Sequence, residues 1–358
     1  MMQRVKKRMA IKHKLPLRVL IADDSATVRH HLHQLISEIP ELEVVGLAKD
    51  GEEAVQMTAQ LKPDVVTMDI RMPHVDGLEA TRRIMQDCPT PVVVVSALVE
   101  TDIDLSFQAI DAGALAVVEK PPDRRSPAFE DKQLRLVKTL MAMAQVSVVR
   151  RGRNIPPKHQ AIEVSTFSHI KPEIVVIGAS AGGPSALSYI LSHLSPDLSV
   201  PVLIAQHIPH EFVAGLARWL DKVAKLRVIV AQDNQPLKPG VVHLSPGNAH
   251  VEIRRMGSTL ITHFVYEQGE ERHQPSVNVL FKSVAAVCGS HAIGIILTGM
   301  GDDGADGLLE MHRAGARTLA QNRETATVYG MPGAAEALGA VQKVVSLADI
   351  PSAVLKLL

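Results

Sequence analysis

Polar side chains that could do chemistry follow four short apolar runs in the first third of the chain. Asp23 and Asp24 follow LRVLIA, Asp69 follows DVVTM, Ser96 follows PVVVV and Lys120 follows AVVE. Three clustered carboxylates repel one another unless a hard divalent cation is bound, and Mg²⁺ typically takes one or two carboxylates with phosphate oxygens and water. A phosphoryl group on Asp69 would then be surrounded by the cation, the lysine ammonium and the serine hydroxyl. These residue types could therefore hold a divalent cation beside a phosphoryl group.

A second set of candidates lies in the later half of the chain and begins with Ser180. The sequence Gly178-Ala179-Ser180-Ala181-Gly182 satisfies the G-x-S-x-G pattern, which exposes a nucleophilic serine on a tight turn between a strand and a helix. A dinucleotide-binding turn is the rival interpretation. The G-x-G-x-x-G spacing is absent, however, and no suitable acidic residue follows a second strand. The pattern therefore favours Ser180 as a nucleophile.

A nucleophilic serine needs a general base, and the chain contains 16 histidines. His207 directly follows the strand-like run VPVLIAQ, so it is expected at the same edge of the sheet as the serine. His243 lies in the middle of the run GVVHLSP, while His210 and His250 lie in loops or at the start of elements. We therefore favour His207 over the other three.

An aspartate that orients this base could come from the run AIGIILTGMGDDGADG, which reads as a buried strand entering a turn. Such an aspartate would hold one tautomer of the histidine and stabilise the imidazolium. Asp302, Asp303 and Asp306 all compete for this role, and ordinary turn and capping chemistry is the alternative for each. Spacing alone does not choose among them.

The elements that must position these residues alternate between short Val- and Ile-rich runs and longer amphipathic ones. This alternation predicts an α/β fold with two doubly wound domains, the second with a mostly parallel, Rossmann-like sheet. The run RRGRNIPPKHQ interrupts the alternation and indicates a linker. We assign a basic N-terminal extension to residues 1–16, a first domain to 17–137, a linker to 138–170 and a second domain to 171–358.

Composition excludes several classes of protein. The 358 residues include 38 basic and 38 acidic side chains, so no overall charge attracts nucleic acid, and no basic recognition helix is evident. Cys88 and Cys288 match no metal or redox spacing. No secretory signal is recognisable, and no run reaches the about 18 apolar residues of a membrane span. We expect a cytoplasmic protein without membrane insertion.

Four motifs of the first domain resemble the receiver domain of two-component response regulators, which has a flavodoxin-like fold. They are ADDS at 22–25, DIRMPHVDG at 69–77, SA at 96–97 and KPP at 120–122. The resemblance implies that a histidine kinase phosphorylates Asp69 and that Asp24 and Asp69 hold Mg²⁺, with Asp23 assisting. The backbone carbonyl of Arg71 would be a further ligand. Two residues, Ser96 and Lys120, would sense the phosphate.

Five motifs of the second domain resemble the catalytic domain of the chemotaxis protein-glutamate methylesterases, the CheB family. They are GASAGG at 178–183, QHIP at 206–209, PSVNVLF at 275–281, LTGMGDDGA at 297–305 and ETATVYGMP at 324–332. The resemblance implies that Ser180 is the nucleophile, His207 the general base and then acid, and Asp303 the orienting acid. The backbone N–H of Met300, with that of Ala181, would form the oxyanion hole.

This family implies hydrolysis of glutamyl methyl esters, and deamidation of glutamines, on chemoreceptors, with no cofactor in the catalytic domain. We expect a monomer in which the unphosphorylated receiver covers the Ser180 cleft. Two positions depart from the family, because Ala181 stands where Thr is usual and Asn278 where Asp is usual. These departures keep open a second class of function, a response regulator whose degenerate hydrolase domain acts as a binding module.

Overall fold

The computed structural model describes residues 16–96, 100–146, 148, 170–266 and 274–358. Nearly all of the basic extension predicted for 1–16, most of the linker predicted for 138–170 and Ala97 of the receiver-like SA motif lie outside these ranges. The chain divides into two compact units, and each of the two large sheets belongs mainly to one of them. Within the described ranges, no helix combines the length and the apolar character that a membrane span requires.

The first large sheet has five strands in the order β2-β1-β3-β4-β5. The strands are β1 (Leu17–Ala22), β2 (Leu42–Ala48), β3 (Val65–Met68), β4 (Val92–Ser96) and β5 (Ala116–Glu119). The pairings of β1 with β2, β1 with β3 and β3 with β4 are parallel. Every residue of β3 and β4 is buried, as expected of strands covered on both faces. This strand order is that of flavodoxin-like folds.

Five helices connect or follow these strands, and capping side chains fix where the first three begin. The helices are α1 (Ala26–Ser37), α2 (Gly51–Leu61), α3 (Gly77–Asp87), α4 (Glu100–Ala112) and α5 (Phe129–Met143). The side chains of Ser25, Asp50 and Asp76 each accept a backbone N–H from the first turn of the helix that follows. Such caps satisfy N–H groups that have no partner inside the helix.

Helix α5 extends beyond the boundary that the sequence places at residue 137. Its buried stripe of Leu136, Val137, Leu140 and Met143 continues through the last turns of the helix. Because this stripe must stay out of water, the helix continues to Met143. The linker predicted for 138–170 therefore overlaps the end of α5.

The second large sheet has seven strands in the order β14-β13-β12-β6-β7-β9-β8, and all of its pairings are parallel. The strands are β6 (Ile174–Ala179), β7 (Val202–Gln206), β8 (Arg227–Val230), β9 (Val241–Leu244), β12 (Ala292–Ile296), β13 (Arg317–Gln321) and β14 (Lys343–Val345). Strand order reverses at β6, which lies between β7 and the later β12. In open parallel sheets, such a reversal leaves a crevice at the carboxyl ends of the strands.

The helices of this unit are α6 (Gly183–His193), α7 (His210–Val223), α8 (Val277–Cys288), α9 (Ala305–Arg313), α10 (Met331–Ala337) and α11 (Ile350–Leu357). A separate antiparallel hairpin comprises β10 (His250–Met256) and β11 (Thr259–Val265). Helix α8 shares one buried core with this hairpin and with β6, β7 and β12. The predicted fold class, two doubly wound α/β domains, is confirmed.

Candidate active site

The turn that carries Ser180 lies at the carboxyl end of the central strand β6. The Ser180 N–H donates to the carbonyl of Thr298, at 3.0 Å, and so continues the pairing with the neighbouring β12 segment. The Gln206 side chain donates from Nε2 to the carbonyls of Ser180, at 2.9 Å, and His207, at 3.0 Å. The turn then passes Gly182, whose φ is +77°. An added Cβ there would lie 2.5 Å from the Thr327 side chain, so a larger residue would disturb the turn.

Thr298 is a buried residue that joins this turn to a neighbouring loop. Its hydroxyl donates to the Ala181 carbonyl at 2.8 Å and accepts the Val328 N–H at 2.9 Å. Its own N–H donates to Oε1 of Gln321, at 2.9 Å. Neither Thr298 nor Gln206 was predicted from the sequence as a supporting residue. Their position as polar residues at the ends of apolar strands was the available signal, because buried polar groups need partners.

The structure brings two of the predicted catalytic side chains together. His207 follows β7, and its Nε2 atom lies 2.7 Å from Oδ2 of Asp303. Both side chains are largely buried, with 10% and 7% of their surface exposed. The competing Asp302 and Asp306 are exposed to solvent. Of the three aspartates that spacing could not separate, Asp303 is therefore the one placed to orient the histidine.

The other candidate histidines lie elsewhere. His243 is buried within β9, and burial lowers its pKa to about 4, with the charge of Lys238 adding to the effect. His210 begins α7. His250 begins β10, where its Nδ1 accepts the Ser276 N–H at 3.0 Å. Only His207, among these four, contacts Asp303.

The N-terminus of α8 also binds the Asp303 carboxylate, through three donors. Its Oδ1 accepts the hydroxyl of Ser276, at 3.0 Å, and the N–H of Asn278, at 2.9 Å. Its Oδ2 accepts the N–H of Val277, at 2.7 Å. Burial alone would raise the pKa of Asp303, but His207 and these N–H groups lower it to about 2. The carboxylate is therefore ionised at neutral pH and can stabilise an imidazolium.

Acid should remove the contribution that the ionised Asp303 makes to the free energy of unfolding. Its pKa of about 2 in the folded chain lies below the ordinary 3.8. The contribution is therefore complete above about pH 4 and is lost as the pH falls through about 2. This difference between the two pKa values corresponds to about 2 kcal/mol of unfolding free energy. In urea unfolding, we expect the stability difference between wild type and Asp303→Asn to shrink by that amount from about pH 5 to about pH 2. A difference that does not change with pH would contradict this assignment.

The segment after β12 approaches Ser180 closely. A Cβ added to Gly299 would lie 2.8 Å from Cβ of Ser180, so the backbone that leads to Met300 runs directly beside the serine. Within the described ranges, the N–H groups of Met300 and Ala181 donate no hydrogen bond. Two such donors near a serine could bind an oxyanion.

The other predicted cluster lies at the strand ends of the five-stranded sheet. Oxygen atoms of Asp23, Asp24 and Asp69 lie within 4.8 Å of one another. The Nζ atom of Lys120 lies 2.8 Å from Oδ2 of Asp23 and 3.1 Å from Oδ1 of Asp69. Ser96 ends β4 as a buried residue. The strand ends thus bring together the three carboxylates and the lysine.

The loop after Asp69 is closed by a glycine. The Gly77 N–H donates to the Ile70 carbonyl at 2.9 Å. A Cβ at Gly77 would lie 1.9 Å from the Asp69 carbonyl oxygen, which no side chain could tolerate without moving the loop. Arg71, whose carbonyl was predicted as a metal ligand, lies exposed in this loop.

The chemistry of this acidic cluster fits a divalent cation. Burial raises the pKa of Asp69 to about 6, and the charge of Asp23 adds to this effect while Lys120 opposes it. A buried carboxyl group with a raised pKa becomes fully ionised when positive charge is brought close to it. Carboxylate oxygens are also the protein ligands that Mg²⁺ prefers.

The fold and both clusters define a response regulator whose receiver unit precedes an α/β unit of the hydrolase type. The family model "Response regulator receiver domain" matches residues 19–126, and the model "CheB methylesterase" matches residues 175–354. The chain therefore belongs to the CheB methylesterase family.

Relatives and a solved structure agree with this assignment. A protein-glutamate methylesterase/protein-glutamine glutaminase of Myxococcus xanthus is 46% identical over 94% of this chain and 96% of its own length. One from Syntrophus aciditrophicus is 40% identical over 95% of this chain and 98% of its own length. The crystal structure of the Thermotoga maritima CheB methylesterase catalytic domain covers 53% of this chain and all of its own, with 31% identity and a TM-score of 0.51.

Proposed function

We propose that this chain hydrolyses glutamyl methyl esters, and deamidates glutamines, on chemoreceptors through Ser180, His207 and Asp303. The observation that carries the proposal is the 2.7 Å contact between His207 and Asp303 beside the Ser180 turn. Nucleophile, base and orienting acid at three adjacent strand ends match the requirements of acyl transfer. The names of the relatives supply the substrate class, since they are called methylesterases and glutaminases.

In the first step, the hydroxyl oxygen of Ser180 attacks the side-chain carbonyl carbon of the modified glutamate. His207 accepts the hydroxyl proton through Nδ1, the ring nitrogen other than the one that contacts Asp303. The N–H groups of Met300 and Ala181 donate to the oxyanion. His207 then gives the proton to the leaving oxygen or nitrogen, so methanol or ammonia departs and an acyl-enzyme remains.

In the second step, His207 accepts a proton from water, and the resulting hydroxide attacks the acyl carbon. Collapse of the tetrahedral intermediate returns the proton from His207 to the Ser180 oxygen and releases the glutamate. Asp303 stabilises the imidazolium in both steps without becoming protonated. Its pKa of about 2 supports that role.

Regulation is proposed to start at Asp69, which would accept a phosphoryl group from the phosphohistidine of a chemotaxis kinase. Mg²⁺ held by Asp24 and Asp69, with Asp23 and the Arg71 carbonyl, would offset the charge of the phosphate oxygens. Lys120 would donate to a phosphate oxygen, which its contact with Asp69 at 3.1 Å supports. Ser96 would donate a hydrogen bond to another.

The activity is tested by incubating the purified chain with receptors that carry radiolabelled methyl esters and measuring labelled methanol. Ammonia release from receptors with unmodified glutamines tests deamidation in parallel. We expect both products, and more of each when a small phosphodonor and Mg²⁺ are present. If no methanol appeared under any of these conditions, the chain would be a binding module and the proposed activity would be wrong.

Phosphorylation control predicts a separate result for Asp69→Asn. The amide cannot form the acyl phosphate, so stimulation by acetyl phosphate should disappear while basal methanol release continues. Asp131→Asn removes an exposed carboxylate of the same unit, paired with Arg135 on the same helix, and should leave the stimulation intact. Stimulation that persisted in the Asp69 variant would show that control does not pass through this residue.

A further inference from the structure

Asn278 contacts both the Asp303 turn and the helix that follows it. It lies in the first turn of α8, and its N–H donates to Oδ1 of Asp303 at 2.9 Å. Its side-chain Oδ1 accepts the N–H of Gly307 at 2.8 Å. Gly307 is the third residue of α9, which begins two residues after Asp303. One residue of α8 thus contacts the carboxylate with its backbone and the next helix with its side chain.

The contact replaces a cap that α9 cannot supply for itself. The residue before α9 is Gly304, which has no side chain to accept an N–H of the first turn. A helix normally satisfies such an N–H with a Ser, Thr, Asn or Asp at its own N-cap. Here the oxygen comes from Asn278 on another helix.

Close packing leaves little room between the two helices at this point. A Cβ at Gly307 would lie 2.7 Å from Cβ of Phe281 and 2.9 Å from the carbonyl oxygen of Asn278. A Cβ at Gly304 would lie 2.6 Å from Cγ1 of Val277. The Asp303 turn and the first turn of α9 therefore rest directly on the start of α8.

We propose that Asn278 is a positioning residue for the catalytic aspartate. Its amide oxygen holds the N-terminus of α9 against α8, and the turn between them then keeps the Asp303 carboxylate at its 2.7 Å contact with His207. This inference rests on the proposed Ser-His-Asp mechanism. It also accounts for Asn278 at a position where the family usually has Asp, since both side chains offer an oxygen to the Gly307 N–H.

The first test compares Asn278→Ala with Asn278→Asp in the methanol-release assay. The alanine variant should lower kcat about 10- to 100-fold, because a small displacement of a catalytic group has effects of that size. Its KM should change less than about twofold, since the residue does not touch substrate. The aspartate variant keeps the acceptor and should restore kcat to within about threefold of wild type. Equal losses in both variants would overturn the proposal.

The second test asks whether Asn278 acts through Asp303. In an Asp303→Ala background, Asn278→Ala should lower kcat by no more than about twofold, because a residue that acts through a missing partner adds no further loss. Losses that multiply in the double variant would show an independent structural role. If Asp303→Ala itself kept full activity, the triad would be wrong. If it lost activity while Asn278→Ala did not, only the positioning role would fail.

A matched control removes a similar contact far from the crevice. Oδ1 of Asp221 in α7 accepts the N–H of Val228 at 2.7 Å, beside the edge strand β8. Asp221→Ala should leave kcat within about twofold of wild type even where it lowers the melting temperature. If the alanine variant at 278 did not fold, Asn278→Gln would replace it, because one extra methylene displaces the amide. A wild-type kcat in the glutamine variant would count against the proposal.

Discussion

Replacing Ser180 with alanine is expected to lower methanol release from methylated receptors about 10⁴-fold or more. Loss of the nucleophile removes the covalent route, and the residual rate comes from the oxyanion donors and substrate binding alone. The turn itself should survive, because its contacts with Thr298 and Gln206 involve the backbone of Ser180 and not its hydroxyl. The measurement is single-turnover release of labelled methanol, with circular dichroism to verify folding.

Ser185→Ala is the matched control for this experiment. Ser185 lies in α6, in the first turns after the nucleophile turn, and is partly buried. No step of the mechanism uses its hydroxyl, so methanol release should stay within about twofold of wild type. A Ser180→Ala variant that retained the wild-type rate would show that another residue performs the attack.

Replacing Asp303 with asparagine is expected to lower kcat about 10⁴-fold, the effect of the corresponding change in a serine protease. The physical reason lies in the donors around this carboxylate. One oxygen contacts His207 and the N–H of Val277, and the other accepts Ser276 and the N–H of Asn278. An amide nitrogen in either position places a donor against a backbone donor. The histidine then loses both its orientation and its negative partner.

Asp302→Asn is the control for the charge change, since Asp302 is the exposed neighbour of Asp303. Its kcat should remain within about twofold of wild type. The two variants are compared in pre-steady-state assays, where the acylation rate is separated from product release. Equal acylation rates in Asp303→Asn and Asp302→Asn would show that Asp303 takes no part in catalysis.

The order of strands and helices could be predicted because apolar runs of four to six residues alternate with amphipathic segments along the chain. The same pattern places Ser180 and His207 at strand ends, where a parallel sheet brings them to one edge. Pattern alone could not choose Asp303 over Asp302 or Asp306. That choice depends on the N-terminus of α8, whose donors contact Asp303 across separations of 25 to 27 residues. Local spacing carries no information about such contacts.

The residues that support the Ser180 turn could not be predicted from the sequence, for a related reason. The amide of Gln206 and the hydroxyl of Thr298 act on the backbone of distant turns, so neither residue type nor spacing indicates their partners. The family resemblance identified Asn278 as unusual, but only the contact with Gly307 shows what its side chain does.

The arrangement of β12 beside β6 also bears on how the enzyme is made. His207 and Asp303 are separated by 96 residues in the chain, and closing so long a loop is entropically costly and slow compared with local pairing. A ribosome that has completed β6 and β7 has already exposed the serine and the histidine, but the aspartate has not yet been synthesised. If Asp303 orients His207 as proposed, the nascent polypeptide would lack hydrolytic activity until translation has passed β12. Hydrolytic competence would then be a late event in biogenesis, because it would follow synthesis of the strand at the centre of the sheet.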